Sequence, residues 1–418
     1  MILPLALRSL ANRKVTAGLT VLSIALAVLL LLGVERIRHE ARESFASAVS
    51  GTDLIVGART SPVHLLLAAV FHVGNVTHNL RWDTFLAVSR RAEIAWTVPL
   101  SLGDSHRGFR VVGTTPAYFE HYRFADARAL TFQAGRALAG PGDCVLGAQV
   151  AAKTRYHLGD RVVLAHGAGD IAFTEHADHP LTVTGILEPT GTPVDRVIHV
   201  TLEALDAVHA AAGAAIDPDP LAAALKAASA QTAAERTLTA MLVGLRHRPA
   251  ALAMQRTLND FAGDPLTAIL PAVALQEVWE ITSVVEHVLL AVSALVVVVG
   301  LGGMLIALLT GLGERRREMA ILRSVGARPA HVFALLLGEA VVLTLTGVAL
   351  GGLMLHAGLA LAQPWVAEHW GFVIRAGAPS VRELALAGLV ACAGLLVGLV
   401  PAYRLYRTSL ADGMTVRL

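Results

Sequence analysis

The chain has 418 residues, of which 55% are hydrophobic and only 16% are charged, and its formal net charge is +2. Soluble domains carry about 25% charged residues, so this composition indicates a membrane protein. The basic residues are scattered or lie at the ends of apolar segments, which excludes a concentrated nucleic-acid-binding surface. Cys144 lies in a polar region and Cys392 in an apolar run, so no disulfide framework is predicted.

Four apolar segments predict transmembrane helices. A bilayer core of about 30 Å requires about 20 apolar residues in helical form. The segments of sufficient length are 15–34, 288–313, 332–355 and 384–403. The first follows basic residues, as the apolar part of a cleaved signal peptide does. It is longer than the roughly 7–15 residues of such a peptide, so we expect a retained anchor.

Basic residues near the predicted spans give the orientation. They concentrate in a leader (1–14), in the loop at 314–331 and in the tail (404–418), whereas the loop at 356–383 has only two arginines. The positive-inside rule therefore predicts that both termini of this multi-pass protein lie in the cytoplasm. Residues 35–287 are then expected to form a large domain outside the cytoplasm, in the periplasm if the cell has two membranes.

The segment 35–287 predicts an α+β domain on two helical stalks, because residues 35–50 and 275–288 have helical periodicity. Between the stalks lie short β-like runs at 53–57, 95–100, 109–113, 144–147, 161–165, 181–187, 196–201, 241–245 and 267–270. The alanine-rich segment 202–236 is interrupted by two prolines and predicts a helical hairpin or an insertion. The predicted fold class is thus a four-helix membrane protein with a large α+β extracytoplasmic domain between spans 1 and 2.

Small residues in the spans predict close helix packing. Gly347 and Gly351 form one pair at four-residue spacing, and Gly394 and Gly398 form another. The packing is either within one chain or between two copies. Glu339 lies inside the third span, where a carboxylate marks a functional or a structural position; we favour the structural one.

Known catalytic motifs are missing from the sequence. It contains no phosphate loop of the form G-x-x-x-x-G-K-[ST], so any ATP hydrolysis is expected in a separate chain, and we expect this chain not to be an enzyme. A zinc-protease H-E-x-x-H motif and a G-x-S-x-G elbow are also absent. His176, Asp178 and His179 form the densest cluster of potential zinc ligands, although a solvated polar loop is the favoured interpretation.

The loop after the second span carries the most informative motif. It runs Glu314-Arg315-Arg316-Arg317-Glu318-Met319-Ala320-Ile321-Leu322-Arg323-Ser324-Val325-Gly326-Ala327-Arg328. This segment resembles the E-R-x-R-E-I-x-x-x-R-x-x-G-A signature of the FtsX-like, MacB-type ABC permease family. The leader Arg8–Arg13 and the tail around Pro401-Ala402 are similar to the family's ends. The resemblance implies a MacB-like architecture, mechanical transmission through the stalks, and a separate ABC ATPase.

The same loop predicts a short amphipathic helix. Met319 and Leu322 lie on one face at helical spacing, and Gly326 can end the helix. Such a helix either lies on lipid or docks into a partner. The interleaved Glu314 and Glu318 argue against binding to anionic lipid, which favours basic runs. Together with the resemblance, this favours a coupling helix composed of Glu314, Arg315, Arg316, Arg317, Glu318, Met319, Leu322, Arg323 and Gly326.

The resemblance implies a homodimer that acts with two ATPase chains holding ATP and magnesium, and no cofactor bound by this chain. Further expected partners are membrane lipid and a periplasmic carrier, adaptor or lipoprotein. The work expected in the periplasm is export, extraction or mechanotransmission. Three alternatives remain: a lipoprotein-releasing permease, a signalling permease that activates a cell-wall hydrolase, and a zinc-handling protein. The segment 53–80 is unlike the corresponding segment of the macrolide exporters, so the resemblance to the family does not identify a substrate for this chain.

Overall fold

The computed structural model of the chain describes residues 13–74, 78–125, 127–166, 174–175, 180–210, 236–311, 329–370 and 377–407. The chain divides into two compact units. The helical unit comprises, within these ranges, residues 13–40, 283–365 and 377–407. The α/β unit comprises residues 41–282 and 366–370.

The bounds of the regular elements are as follows. The helices are α1 (Lys14–Ala48), α2 (Pro62–Ala69), α3 (Trp82–Ser89), α4 (Ala117–His121), α5 (Ala148–Thr154), α6 (Leu202–Ala210), α7 (Ala251–Asn259), α8 (Pro271–Thr310), α9 (Pro329–Trp370) and α10 (Val381–Arg407). The strands are β1 (Leu54–Ala58), β2 (Leu80–Arg81), β3 (Ile94–His106), β4 (Phe109–Thr114), β5 (Arg123–Phe124), β6 (Arg128–Ala129), β7 (Phe132–Gly135), β8 (Asp143–Leu146), β9 (Arg161–Val162), β10 (Ala165–His166), β11 (Thr174–Glu175), β12 (Leu181–Leu187), β13 (Val197–Thr201), β14 (Thr237–Leu238), β15 (Ala240–Leu245) and β16 (Leu266–Ile269).

Four of the described helices, α1, α8, α9 and α10, are long and apolar enough to cross a membrane. Their inward faces form one buried apolar cluster around Ile24, Val28, Met304 and Leu343. Other apolar side chains of the same helices are exposed, including Leu295 at 63%. A helix that is apolar on all faces suits a lipid environment, where its outer surface meets acyl chains.

The helix α9 is longer than the sequence indicates. The segment 356–383 is predicted as a loop, whereas α9 continues to Trp370 and α10 begins at Val381. The first residues beyond the predicted span, 356–363, are mainly alanine and leucine, which are among the best helix formers. Counting only the most apolar stretch therefore places the end of the helix too early.

The α/β unit is built on a 12-stranded sheet with the central order β16-β1-β15-β3-β4-β13-β8-β12-β7. The pairs β4–β13 and β8–β12 are parallel, and the other pairs along this path are antiparallel. The long strand β3 belongs to both halves of the sheet. Leu100 in its first part pairs with Ala240 of β15, and Ser101 in its second part pairs with Gly113 of β4.

The sheet buries apolar side chains on both faces. Along β1, Ile55 belongs to one cluster, whereas its neighbours Leu54 and Val56 belong to another. Along β4, Val112 and Val111 are divided between two clusters in the same way. Successive side chains of a strand point to opposite faces, so each such strand is buried on both sides. The short helices cover these faces, which explains the nearly continuous apolar runs of the strands.

The α5 helix starts at a position where only glycine fits. A Cβ atom added to Gly147 would lie 2.5 Å from the carbonyl oxygen of Asp195 and 2.6 Å from its carbonyl carbon. Both are backbone atoms of the segment just before β13, so they cannot move aside as the tip of a side chain does.

We therefore expect Gly147→Ala to lower the free energy of unfolding of the α/β unit by about 1–3 kcal/mol, the usual cost of overpacking. Thermal unfolding of the purified chain, followed by circular dichroism, measures the effect. Gly103→Ala is the matched control, because no atom lies within 4 Å of its added Cβ. Equal melting temperatures for the two variants would contradict this account.

Candidate functional site

The glycines predicted for helix packing all lie at contacts between helices of the same chain. A Cβ atom on Gly347 of α9 would lie 2.6 Å from Cγ2 of Ile24 in α1, and one on Gly351 would lie 2.6 Å from the carbonyl oxygen of Ala25. Close approach of backbones at small residues is how helices associate in lipid. These two glycines therefore bring α9 against α1.

The second pair of glycines joins α10 to α9. A Cβ atom on Gly394 would collide with Thr344, and one on Gly398 would collide with Ala340. Glu339, next to Ala340, is fully buried. This position is compatible with the structural role favoured from the sequence, which stays a prediction.

Two other predicted sites fall outside the described part of the chain. The coupling-helix residues, 314–326, and the three potential zinc ligands, His176, Asp178 and His179, all lie in undescribed segments. Both assignments stay predictions. Within the ranges that the structure describes, no group of three or more histidine, cysteine, aspartate or glutamate side chains is arranged to hold a metal ion.

An ion-pair cluster in the helical unit is the feature that sequence reasoning missed. Its members come from three helices: Glu35, Arg36, Arg38 and Glu40 from α1, Glu286 from α8, and Arg382 and Glu383 from α10. The members on α1 and α8 are close in sequence to residues 40 and 283, at which these two helices continue from one unit into the other. The cluster thus connects three of the four candidate spans by charge.

The central pair of this cluster is Arg36 with Glu383. The guanidinium Nη1 of Arg36 lies 3.1 Å from Oε1 of Glu383, and the two side chains are only 5% and 2% exposed. Nε of Arg36 also lies 3.3 Å from Oε1 of Glu40. Buried ions lose their hydration, so an arrangement of this kind is stable only when each charge keeps its partners.

A second pair connects α1 to α8. Arg38 donates from Nη2 to Oε1 of Glu35 at 2.8 Å and from Nε to Oε2 at 3.0 Å, so this pair is bidentate. Nη1 of Arg38 lies 3.5 Å from Oε2 of Glu286 on α8. The planar fork of arginine suits such a shared arrangement, which also fixes its own orientation.

The sequence contains a weak signal for the partner on α10. Ser380 and Glu383 have the S-x-x-E spacing of a helix N-terminal capping box. The backbone N–H of Glu383 donates to Oγ of Ser380 at 3.2 Å, so the cap is present. The Glu383 carboxylate lies against Arg36. Its partner is 347 residues away in the sequence, which no local pattern shows.

In the α/β unit, aromatic side chains connect the ends of the two long helices. The rings of Phe45 on α1 and Trp279 on α8 have centroids 5.4 Å apart in an edge-on arrangement. The Phe45 ring also packs in a tilted arrangement against that of Phe71, with centroids 4.5 Å apart, and the Arg42 guanidinium lies 5.3 Å from the centroid of the Trp279 ring. Such contacts contribute beyond the area that they bury, so α1 and α8 are held together here.

Two buried histidines lie in the core of the α/β unit. His199 of β13 packs against the rings of Tyr118 and Phe119, at centroid distances of 5.0 and 5.4 Å. Burial, together with the neighbouring His72, lowers the pKa of His199 to about 3. Burial lowers the pKa of His72 to about 4, and the positive charge of Arg110 adds to this effect. Both rings are therefore neutral at pH 7.

Comparison with known families gives two matches that together span most of the chain. The model for MacB-like periplasmic core domains matches residues 17–240, and the model for the FtsX-like permease C-terminal region matches residues 290–410. A comparison with curated proteins gives no match.

Two solved structures are similar in part. The crystal structure of the periplasmic region of MacB from Actinobacillus actinomycetemcomitans is 11% identical, with a TM-score of 0.34, over 56% of this chain and 94% of that one. The extracellular domain of the ABC-type transporter YknZ from Gram-positive bacteria is 13% identical, with a TM-score of 0.31, over 52% of this chain and 99% of that one.

Four apolar helices with a large α/β unit between the first and second define a multi-pass membrane protein with an extracytoplasmic domain. The MacB-like match alone covers more than half of the chain, so the protein belongs to the FtsX-like permeases with a MacB-like periplasmic core domain. The family is the permease component of ABC transporters, and its ATPase lies in a partner. The family and the fold class predicted from the sequence are confirmed.

The ion-pair cluster generates a stability prediction. We expect Arg36→Met to lower the free energy of unfolding by about 3–5 kcal/mol, because Glu383 would remain as a buried charge without its partner. Thermal unfolding of the full chain in lipid nanodiscs measures the effect. Arg36→Met/Glu383→Leu removes both charges and should recover a large part of the loss. No recovery in the double variant would show that the pair is not the cause.

Arg382→Met is the control for this experiment. The Arg382 side chain is 72% exposed, and its Nη1 lies 3.8 Å from Oε1 of Glu35. Exposed pairs contribute little to stability, so we expect a melting temperature close to that of the native chain.

From the lowered pKa values of the two buried histidines, we expect the free energy of unfolding to decrease as the pH is lowered. A histidine in the unfolded chain titrates near 6.5, well above the folded pKa values of about 4 and about 3. Below pH 6.5 the unfolded chain therefore binds more protons, and stability present above pH 6.5 is lost as pH falls. The expected loss is about 1.4 kcal/mol per pH unit for each histidine.

The measurement is the melting temperature of the full chain between pH 7.5 and pH 5. His199→Gln should reduce its dependence on pH. His157→Gln is the control, because that side chain is 84% exposed. An unchanged pH dependence in His199→Gln would contradict the assignment.

Proposed function

We propose that this chain is the permease subunit of an ABC-type complex in a bacterial inner membrane. It couples ATP hydrolysis by a separate ATPase chain to conformational work of its periplasmic domain, and both of its termini lie in the cytoplasm. The observation that carries the proposal is the continuity of two helices. The helix α1 has 35 residues and α8 has 40, and each contains a candidate span and residues of the α/β unit.

Helix continuity supports mechanical transmission. An α-helix of 40 residues is about 60 Å long, twice the thickness of the apolar part of a bilayer. Neither helix contains a proline beyond its first residue, so none of the usual proline-induced kinks interrupts them. A displacement of the span is thus passed along a rigid element to the domain.

In the parts of the spans that the structure describes, few side chains are polar enough to line a hydrophilic path. The hydroxyl of Ser293 on α8 donates to the carbonyl of Leu289 at 2.8 Å, and that of Thr344 on α9 donates to the carbonyl of Ala340 at 2.8 Å. Both hydroxyls are therefore satisfied within their own helices. This supports a mechanism in which the work is done outside the membrane, without a passage through the spans of this chain.

Two parts of the proposed complex rest on the sequence and on family membership. The amphipathic segment 314–326 is the proposed contact with the ATPase, because its apolar positions and interleaved charges suit docking into a partner groove. A second copy of the chain completes the proposed complex.

The test is co-purification of an ATPase with the full chain from the native membrane. The native chain should carry ATPase activity, and Arg316→Glu/Leu322→Asp should lose it, because the changes reverse a charge and place a carboxylate on the apolar face. Leu252→Asp/Arg256→Glu is the matched control, because it makes the same changes on the exposed side of α7. If the native chain purifies without ATPase activity, or if both double variants lose it equally, the coupling proposal fails.

A further inference from the structure

The α/β unit contains a cleft of about 320 Å³ that the coupling function does not use. Four segments line it: Ser44 and Phe45 of α1, Leu67 of α2 with residues 71–73 that follow this helix, residues 108–110 at the start of β4, and residues 191–193, 196 and 197. Its volume lies at the lower end of the range of ligand pockets, about 300–1,000 Å³, so it suits one small molecule or one chain.

One part of the cleft is apolar. The rings of Phe45 and Phe71 pack against each other at a centroid distance of 4.5 Å and line it together with Leu67 and Val197. Val73, at the same cleft, is 57% exposed. Apolar surface that remains accessible in a concave site favours a ligand with an apolar part.

Another part of the cleft is cationic. Arg110 and Arg196 belong to its lining, and none of the described lining residues is acidic. Arg110 also donates from Nη2 to the carbonyl of Gly74 at 3.5 Å. Its guanidinium therefore lies beside the turn formed by residues 71–74. Arginine presents a planar fork of donors that matches carboxylate and phosphate groups.

The turn formed by residues 71–74 has two residues in a left-handed backbone conformation. His72 is buried and has a left-handed conformation, with φ of 55°, and Gly74 follows with φ of 82°. A left-handed conformation is uncommon for a residue other than glycine and is concentrated at ligand sites. This turn contributes Phe71 and Val73 to the cleft on either side of His72.

We propose that the cleft binds a single-chain anionic amphiphile, with the chain against Phe45, Leu67 and Phe71 and the head group at Arg110 and Arg196. The head group is a carboxylate or a phosphate, and the chain is a single acyl or alkyl chain because the volume is too small for two. Binding requires neither an ATPase nor a second copy. The proposal therefore goes beyond the coupling function and fails or holds independently of it.

The experiment uses the full chain in nanodiscs of zwitterionic lipid and a dodecanoate probe that carries a diazirine. Illumination should label peptides that line the cleft, and mass spectrometry identifies them. Unlabelled dodecanoate and dodecyl phosphate should each compete, and the stronger of the two identifies the head group. Dodecanol, which has the chain without the charge, and acetate, which has the charge without the chain, should not compete.

Two variants address the two parts of the site. The double variant Arg110→Gln/Arg196→Gln should reduce labelling by about tenfold for each of the two charges removed. Each substitution removes a charge-assisted hydrogen bond to the head group. Leu67→Trp should abolish labelling by filling the cleft. Arg256→Gln and Leu252→Trp make the same changes on the exposed side of α7 and should label as the native chain does.

Melting temperatures confirm that each variant is folded, and the arginine variant keeps the test decisive if Leu67→Trp does not fold. Equal competition by dodecanol, or native labelling in the arginine variant, would overturn the proposal. A native chain that purifies without ATPase activity but is still labelled in the cleft would contradict only the coupling function.

Discussion

Helices in lipid gain almost nothing from burying apolar surface against one another, because acyl chains are as apolar as leucine. The helical unit therefore depends on close packing and on polar contacts. Gly347 and Gly351 bring α9 against α1, and Gly394 and Gly398 bring α10 against α9. At the end of the unit from which α1 and α8 continue, the buried pair of Arg36 with Glu383 adds a contact that tolerates little displacement. The position of α1 follows from these two kinds of contact, and the pair of Arg38 with Glu286 adds a contact from α1 to α8.

The α/β unit has its own means of holding the same two helices. Phe45 and Trp279 lie edge to face, and Phe45 also packs against Phe71, which belongs to the cleft. One aromatic side chain of α1 thus takes part both in the connection between the long helices and in the proposed ligand site. A ligand at Phe45 and a movement of α1 would act on the same residue, so binding and motion are expected to influence each other.

The strands were predictable because their apolar runs are short and bounded by turn residues. The run at 181–187 matches β12 at both ends, and the run at 53–57 differs from β1 by one residue. The loop at 356–383 was mispredicted in its first part, where apolarity falls but helix propensity does not. The ion-pair cluster and the cleft could not be predicted from the sequence, because each joins segments that are far apart in it. Charges at Arg36 and Glu383 resemble ordinary span-end residues until the fold brings them together.

The position of β1 in the sheet has a consequence for how the protein is made. Leu54 pairs with Val243 and Ile55 with Ile269, so the first strand of the domain is flanked by the last two strands that the structure describes. Contacts between such distant segments form slowly, since the entropy of closing a long loop is lost before the contacts compensate for it. During synthesis, the first half of this sheet cannot close until residue 269 has been exported, and that is just before α8 enters the membrane. Insertion of the second span and completion of the domain are therefore nearly simultaneous events, and until then β1 presents an open edge that export chaperones would have to protect.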